Sequence, residues 1–288
     1  MNEVEHVLAV QNDLGEGPLW DAEAGVLYWV DINPGRFYRW DPAAAQYETF
    51  AVGVPVGALA LRTKGGMVLA TKDGLAFWDT ETQALDFIAH PEADRPSRFN
   101  DGKVDRQGRF WAGTMTDARS PTGALYRLDP DRALHTMVTG VTVSNGIGWS
   151  PDNRTMYYTD STPRIIYAYD FDPATGAISN QRPFVHTPGS PDVPDGLTVD
   201  SEGFIWSARW DGWRVVRYDP DGKVEREIPV PAQRPTSVMF GGPNLDELYI
   251  TTARTGLSTT ELEGQPKAGD LFRVRPGVRG LPESKFAG

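Results

Sequence analysis

A short strand-like tetrapeptide recurs six times along this chain, and that repeat restricts the fold more than any other feature. It reads Tyr28-Trp29-Val30-Asp31, Val68-Leu69-Ala70-Thr71, Phe110-Trp111-Ala112-Gly113, Tyr157-Tyr158-Thr159-Asp160, Ile205-Trp206-Ser207-Ala208 and Tyr249-Ile250-Thr251-Thr252. Counted from the second residue of each, successive copies lie 40, 42, 47, 48 and 44 residues apart. A second aromatic element follows each copy, as in Tyr38-Arg39-Trp40-Asp41 and Tyr126-Arg127-Leu128-Asp129. Several of these run into Asp-Pro turns, where proline presets the turn dihedral. Runs of four to seven residues rich in Val, Ile, Tyr, Phe and Trp read as strands. No long run has the 3.6-residue apolar period of a helix, and 30 Gly and 23 Pro are spread along the whole chain. Units of this length, each holding several short strands, are the signature of a β-propeller.

The expected fold is therefore all-β, a single domain over residues 1–288 with six four-stranded blades and a central metal-binding channel. The last copy runs out after three strands. The β-prone segment Val4–Val10 is expected to supply the missing fourth strand and close the ring.

Another strand opens each copy, ahead of the aromatic one, and in a propeller this first strand lines the central channel. At equivalent positions in these strands stand Glu16, Val56, Asp101, Asn145, Asp195 and Thr236, with Asn100 beside Asp101. Carboxylates brought together at one axis repel unless a cation neutralises them. Any one Asp-Gly or Asn-Gly pair is most simply a hairpin turn. Recurrence at one repeat position favours metal binding for the set. Oxygen donors without Cys or His suit a hard divalent ion, Ca²⁺ first, with Mg²⁺ and Mn²⁺ as alternatives and Zn²⁺ or Fe²⁺ still open.

Composition excludes other chemistries. There are no cysteines, which rules out disulfides, thiolate metal sites and a Cys nucleophile. The four histidines are scattered, and no G-x-S-x-G elbow occurs. A formal charge of −11 provides no basic footprint for nucleic acid or an anionic membrane. No stretch approaches 18 consecutive apolar residues, and the first residues lack the basic-then-apolar pattern of a signal peptide. A cytoplasmic monomer is expected.

Taken in order, Leu14-Gly15-Glu16-Gly17-Pro18, Arg98 to Asp105 (RFNDGKVD), Ala112-Gly113-Thr114-Met115, Ser144-Asn145-Gly146, Pro194-Asp195-Gly196 and Phe240-Gly241-Gly242 resemble the regucalcin (SMP-30) and gluconolactonase family over essentially the whole chain. The resemblance implies a metal-dependent lactonase that opens aldonolactones such as gluconolactone to the free acid. It implies Glu16, Asn145 and Asp195 as metal ligands, Asp195 also as general base, and Arg98 and Asn100 as contacts to sugar hydroxyls or ring oxygens. A cation depresses the pKa of a ligand carboxylate, so water activated by the ion itself stays open beside Asp195 as base. Family members carry an acidic substrate contact shortly after the Gly-Thr-Met motif. Here that position is Ala118, with Asp117 beside it, a departure that bears on sugar preference. Two other readings stand beside the lactonase: a calcium-dependent phosphotriesterase or arylesterase, and a non-catalytic calcium-binding protein.

Overall fold

The computed structural model describes residues 3–288. Its strands form six sheets of four antiparallel strands each, with no strand shared between sheets. The first blade shows the plan: Gly15–Asp21 innermost, then Val26–Asp31, Arg36–Asp41 and Gln46–Ala51 outward. Burial follows that order. Val26–Asp31 is buried at every residue, whereas Gln46–Ala51 is almost wholly exposed. A middle strand is covered on both faces by neighbouring blades, so it reads as a continuous apolar run rather than an alternating one. This explains why the aromatic tetrapeptide was the visible mark of the repeat. Its second residue (Trp29, Leu69, Trp111, Tyr158, Trp206 or Ile250) is buried in every blade.

The ring closes as the repeat count requires. The last blade takes Pro235–Gly241, Glu247–Thr252 and Leu271–Val274 from the C-terminal region and Glu5–Leu8 from the N-terminal one, paired to Leu271–Val274. The two ends of the chain thus share one sheet, and the pairing removes two open strand edges. Among the described residues the one α-helix, Thr259–Gly264, is a single capped turn inserted in this blade. Among the described residues no helix is long and apolar enough to cross a membrane.

The innermost strands are Gly15–Asp21, Val56–Leu61, Ser97–Val104, Ser144–Trp149, Val193–Val199 and Pro235–Gly241. All six break register against their neighbour within their first few residues: Glu16/Leu19, Val56/Ala58, Phe99/Asp101, Asn145/Ile147, Pro194/Leu197 and Pro235/Ser237. A β-bulge adds a residue to one strand, bends it and re-aims the side chain at that point. The axial position singled out by the repeat therefore lies in or directly beside a bulge in every blade.

The two ends of the channel differ. The starts of the innermost strands surround an open cavity. Their far ends lie under the C-terminal segment, where Leu281 to Ser284 meet Val104, Trp149 and Val199, and Lys103 Nζ pairs with Glu283 at 3.1 Å. Phe286 is fully buried, and its backbone bridges to Arg62. One end is plugged, so chemistry is left to the other.

Candidate metal and substrate site

The open cavity has a volume of about 590 Å³, within the range of small-molecule sites. All five residues expected at the site line it: Glu16, Arg98, Asn100, Asn145 and Asp195. They come from the innermost strands of four blades and meet where those strands begin, beside their bulges. Close backbone approach holds them there. A Cβ on Gly146 would lie 2.6 Å from Leu197 N and 2.8 Å from Asp195 O, so only glycine lets these two strands pass.

A chain of hydrogen bonds links the polar side chains. Arg98 Nη1 donates to Asn100 Oδ1 at 2.6 Å and to Phe99 O at 3.0 Å. Asn100 Nδ2 donates to Ser144 O at 2.7 Å and to Asn145 Oδ1 at 3.0 Å. Asn145 Nδ2 donates to Ser161 Oγ at 2.8 Å, and Ser161 Oγ donates to Pro194 O at 2.7 Å. Such a chain sets each amide one way round. The Asn145 nitrogen is committed to Ser161, so its oxygen is the atom with a lone pair to spare.

The carboxylates show the opposite condition. Asp195 Oδ1 is buried without any hydrogen-bond partner among the described residues. Glu16 Oε2 accepts only from its own neighbour, Gly17 N, at 3.1 Å. Burial pushes the Glu16 carboxyl well above the usual carboxylate range, and the nearby charges of Asp195 and Asp101 push it further. Asp195 is raised by burial and then by Asp101. Asp101 is pushed up to about 6 by burial, against the pull of the Gly102 amide and Lys103. Buried carboxyls that raise one another's pKa form a site short of positive charge.

Asp101 faces away from the open cavity. It lines the small space at the plugged end with Lys103 and Glu283. Among the described residues no three His, Cys, Asp or Glu side chains gather as a ready-made cage. The set facing the cavity is two carboxylates and one amide. Oxygen donors, an orphaned buried Asp195 Oδ1 and an amide oxygen held outward by Ser161 together fit a hard divalent cation.

The family profile described as the SMP-30/gluconolactonase/LRE-like region matches residues 14–254, which include Glu16, Arg98, Asn100, Asn145 and Asp195. The chain belongs to that family. A 6-deoxy-6-sulfogluconolactonase of Pseudomonas putida is 40% identical over 293 residues, covering 100% of both chains. The pentonolactonase of Haloferax volcanii is 39% identical over 289 residues, 97% of each chain. The structure of regucalcin from Agrobacterium tumefaciens, described as a calcium-binding protein, superposes with a TM-score of 0.96 at 28% identity and covers 100% of this chain and 98% of its own.

Within this family fold, several cavity residues carried no signal in the repeat. Ser161 follows the second strand of the fourth blade, and only its hydrogen bonds reveal it. Trp210 lines the cavity with Arg234, whose guanidinium lies 4.8 Å from the Trp210 ring centroid. Trp149, by contrast, packs in the core against Trp111 and Phe171. Arg119 and Arg164 also line the cavity. Neither Ala118 nor Asp117 does; the residue of that turn which reaches the cavity is Arg119, and its position next to the family departure at Ala118 was the signal that could have found it.

Proposed function

We propose that this protein is a sugar lactonase that hydrolyses an aldonolactone to the aldonic acid with the help of one divalent cation, calcium being the first expectation. The observation that carries this reading is the pairing of an unsatisfied, buried Asp195 Oδ1 with the outward-held Asn145 oxygen in a cavity also lined by Arg98. Lactonases at 39% and 40% identity over nearly full length support the reaction class.

Glu16, Asn145 and Asp195 are the residues that would hold the cation. When bound, it would supply Lewis-acid polarisation of the lactone carbonyl and lower the pKa of nearby water. Asp195 has an oxygen to spare for the proton of the attacking water, a role worth about 10²–10⁴-fold for a positioned base. Arg98 spends Nη1 on the chain of amides and keeps Nε and Nη2 for substrate, a planar fork that matches adjacent hydroxyls or a carboxylate product. Both amide hydrogens of Asn100 are already donated, so it orients Arg98 and Asn145 and offers substrate only the second lone pair of Oδ1.

The test is hydrolysis of glucono-, galactono-, xylono- and arabinonolactone by chelator-stripped protein, with and without each divalent metal. Proton release that needs added metal and disappears in Asp195→Ala is the expected result. Tight metal binding without turnover of any lactone would overturn the reading.

A further inference from the structure

The charge inside the cavity is the reverse of the charge on the molecule. Acidic residues outnumber basic ones 39 to 28 in the chain, yet four arginines line this cavity (Arg98, Arg119, Arg164 and Arg234) against three carboxylates (Glu16, Asp195 and Asp211). Arg234 Nε is paired with Asp211 at 2.7 Å. Glu16 and Asp195 are the proposed cation ligands, and a divalent ion would balance them. Arg98, Arg119 and Arg164 then have no carboxylate within ion-pair distance among the described residues.

Arg119 and Arg164 are built alike in neighbouring blades. Each ends a tight turn, with Arg119 N donating to Thr116 O at 2.9 Å and Arg164 N to Ser161 O at 3.0 Å. Each holds a left-handed backbone, φ 49° and φ 60°. In the first blade the corresponding turn, closed by Gly35 N to Ile32 O, uses glycine with φ 66°. Left-handed backbone costs an arginine free energy that glycine does not lose. Both side chains nonetheless line the cavity, on neighbouring turns of its rim. Arg164 Nε donates to Ser190 O at 3.0 Å and Nη1 to Thr162 O at 3.4 Å, which fixes the plane of its guanidinium while leaving Nη2 unpaired among the described residues. Arg119 is exposed and makes no side-chain hydrogen bond or ion pair among the described residues, and its charge is felt by Asp195.

We infer that the lactone taken by this cavity carries a second anionic group, a carboxylate, sulfonate or phosphate at the end of the sugar away from the ring carbonyl, bound by Arg119 and Arg164. The inference rests on the lactonase reading above. The unpaired guanidinium of Arg119 and the free Nη2 of Arg164 suit an oxyanion with several acceptor oxygens far better than a neutral primary hydroxyl.

The test compares kcat/KM of the metal-loaded protein for gluconolactone with that for glucarolactone, 6-phosphogluconolactone and 6-deoxy-6-sulfogluconolactone, whose ranking distinguishes the three anions. At least one anionic lactone is expected to lead gluconolactone by about tenfold. That ratio is expected to fall by about tenfold in the Arg119→Gln/Arg164→Gln protein, and further in Arg119→Glu. Calorimetry on the metal-free protein supplies a readout independent of turnover. Glucarate should bind more tightly than gluconate, the difference should shrink with salt, and it should vanish in the double variant. Equal handling of neutral and anionic lactones, with no preference for glucarate, overturns this inference and leaves the lactonase reading intact. Failure to turn over any lactone overturns both.

Discussion

Asn145 Nδ2 donates to Ser161 Oγ at 2.8 Å, and that single bond decides which atom of the Asn145 amide faces the cavity. Ser161 is itself oriented, because its hydroxyl proton goes to Pro194 O, one residue before Asp195. A serine outside the ligand set thus couples two strands that each bring a donor to the proposed cation. Residues that orient ligands in this way typically matter by about 10–100-fold in affinity. Ser161→Ala is therefore expected to weaken divalent-metal binding by about tenfold in calorimetry while the fold persists. Unchanged affinity would mean that the amide is held by Asn100 alone.

Asp195→Asn removes one of the mutually repelling buried carboxylates and should separate function from stability. Activity is expected to fall by about 10²–10⁴-fold, the range for a lost positioned base. The metal-free variant should melt a few degrees above the metal-free wild type, since an isosteric amide has no charge to desolvate beside Asp101. Differential scanning calorimetry of chelator-treated samples measures this. A lower Tm would show that the Asp195 carboxylate is stabilised in the metal-free fold.

The same groups set an expected pH dependence. Glu16, Asp195 and Asp101 all have folded pKa values above their unfolded ones. Above the ordinary carboxylate range the folded metal-free chain therefore holds protons that the unfolded chain has released. Stability must then fall as pH rises through the folded values, of which that of Asp101 is about 6. Carboxylates with depressed pKa values, such as Asp192 and Glu247, act below this window and do not mask it. The Tm of stripped protein is expected to decline from about pH 5 to about pH 8, while metal affinity climbs over the same range as protons are displaced. A Tm that rises through this window would contradict the proton count.

Gly146→Ala tests whether the bulge geometry places the ligands. The new methyl would meet two backbone atoms, Leu197 N and Asp195 O, which cannot turn aside as a side chain can. Overpacking of this kind costs about 1–3 kcal/mol. Denaturant unfolding should show that loss, and calorimetry should show weaker metal binding because the Asp195 strand must shift. Stability loss with full metal affinity would place the strain elsewhere.

Much of this molecule could be read from its residues in order. The six copies of the aromatic tetrapeptide specify six blades because a strand covered on both faces must be apolar throughout, and that pattern survives in the bare sequence. Ring closure by the N-terminal strand followed from a last copy one strand short. The convergence of Glu16, Asn145 and Asp195 followed from the repeat as well, because equivalent positions around one axis must meet.

Other features depend on contacts between distant segments. The repeat put Asp101 at the same axial position, yet its side chain serves the plugged end of the channel. Side-chain direction in a strand alternates with each residue, and the position and shape of a bulge decide which way a given residue looks. No local pattern records that choice. Ser161, Arg119 and Arg164 lie in turns whose residues follow no period, and only the closed ring carries them to the cavity rim. Periodic burial needs an apolar residue at every repeat and so leaves a trace along the chain. A hydrogen bond or a free guanidinium needs only one residue at one point in space, and here that point exists only once the six blades have closed.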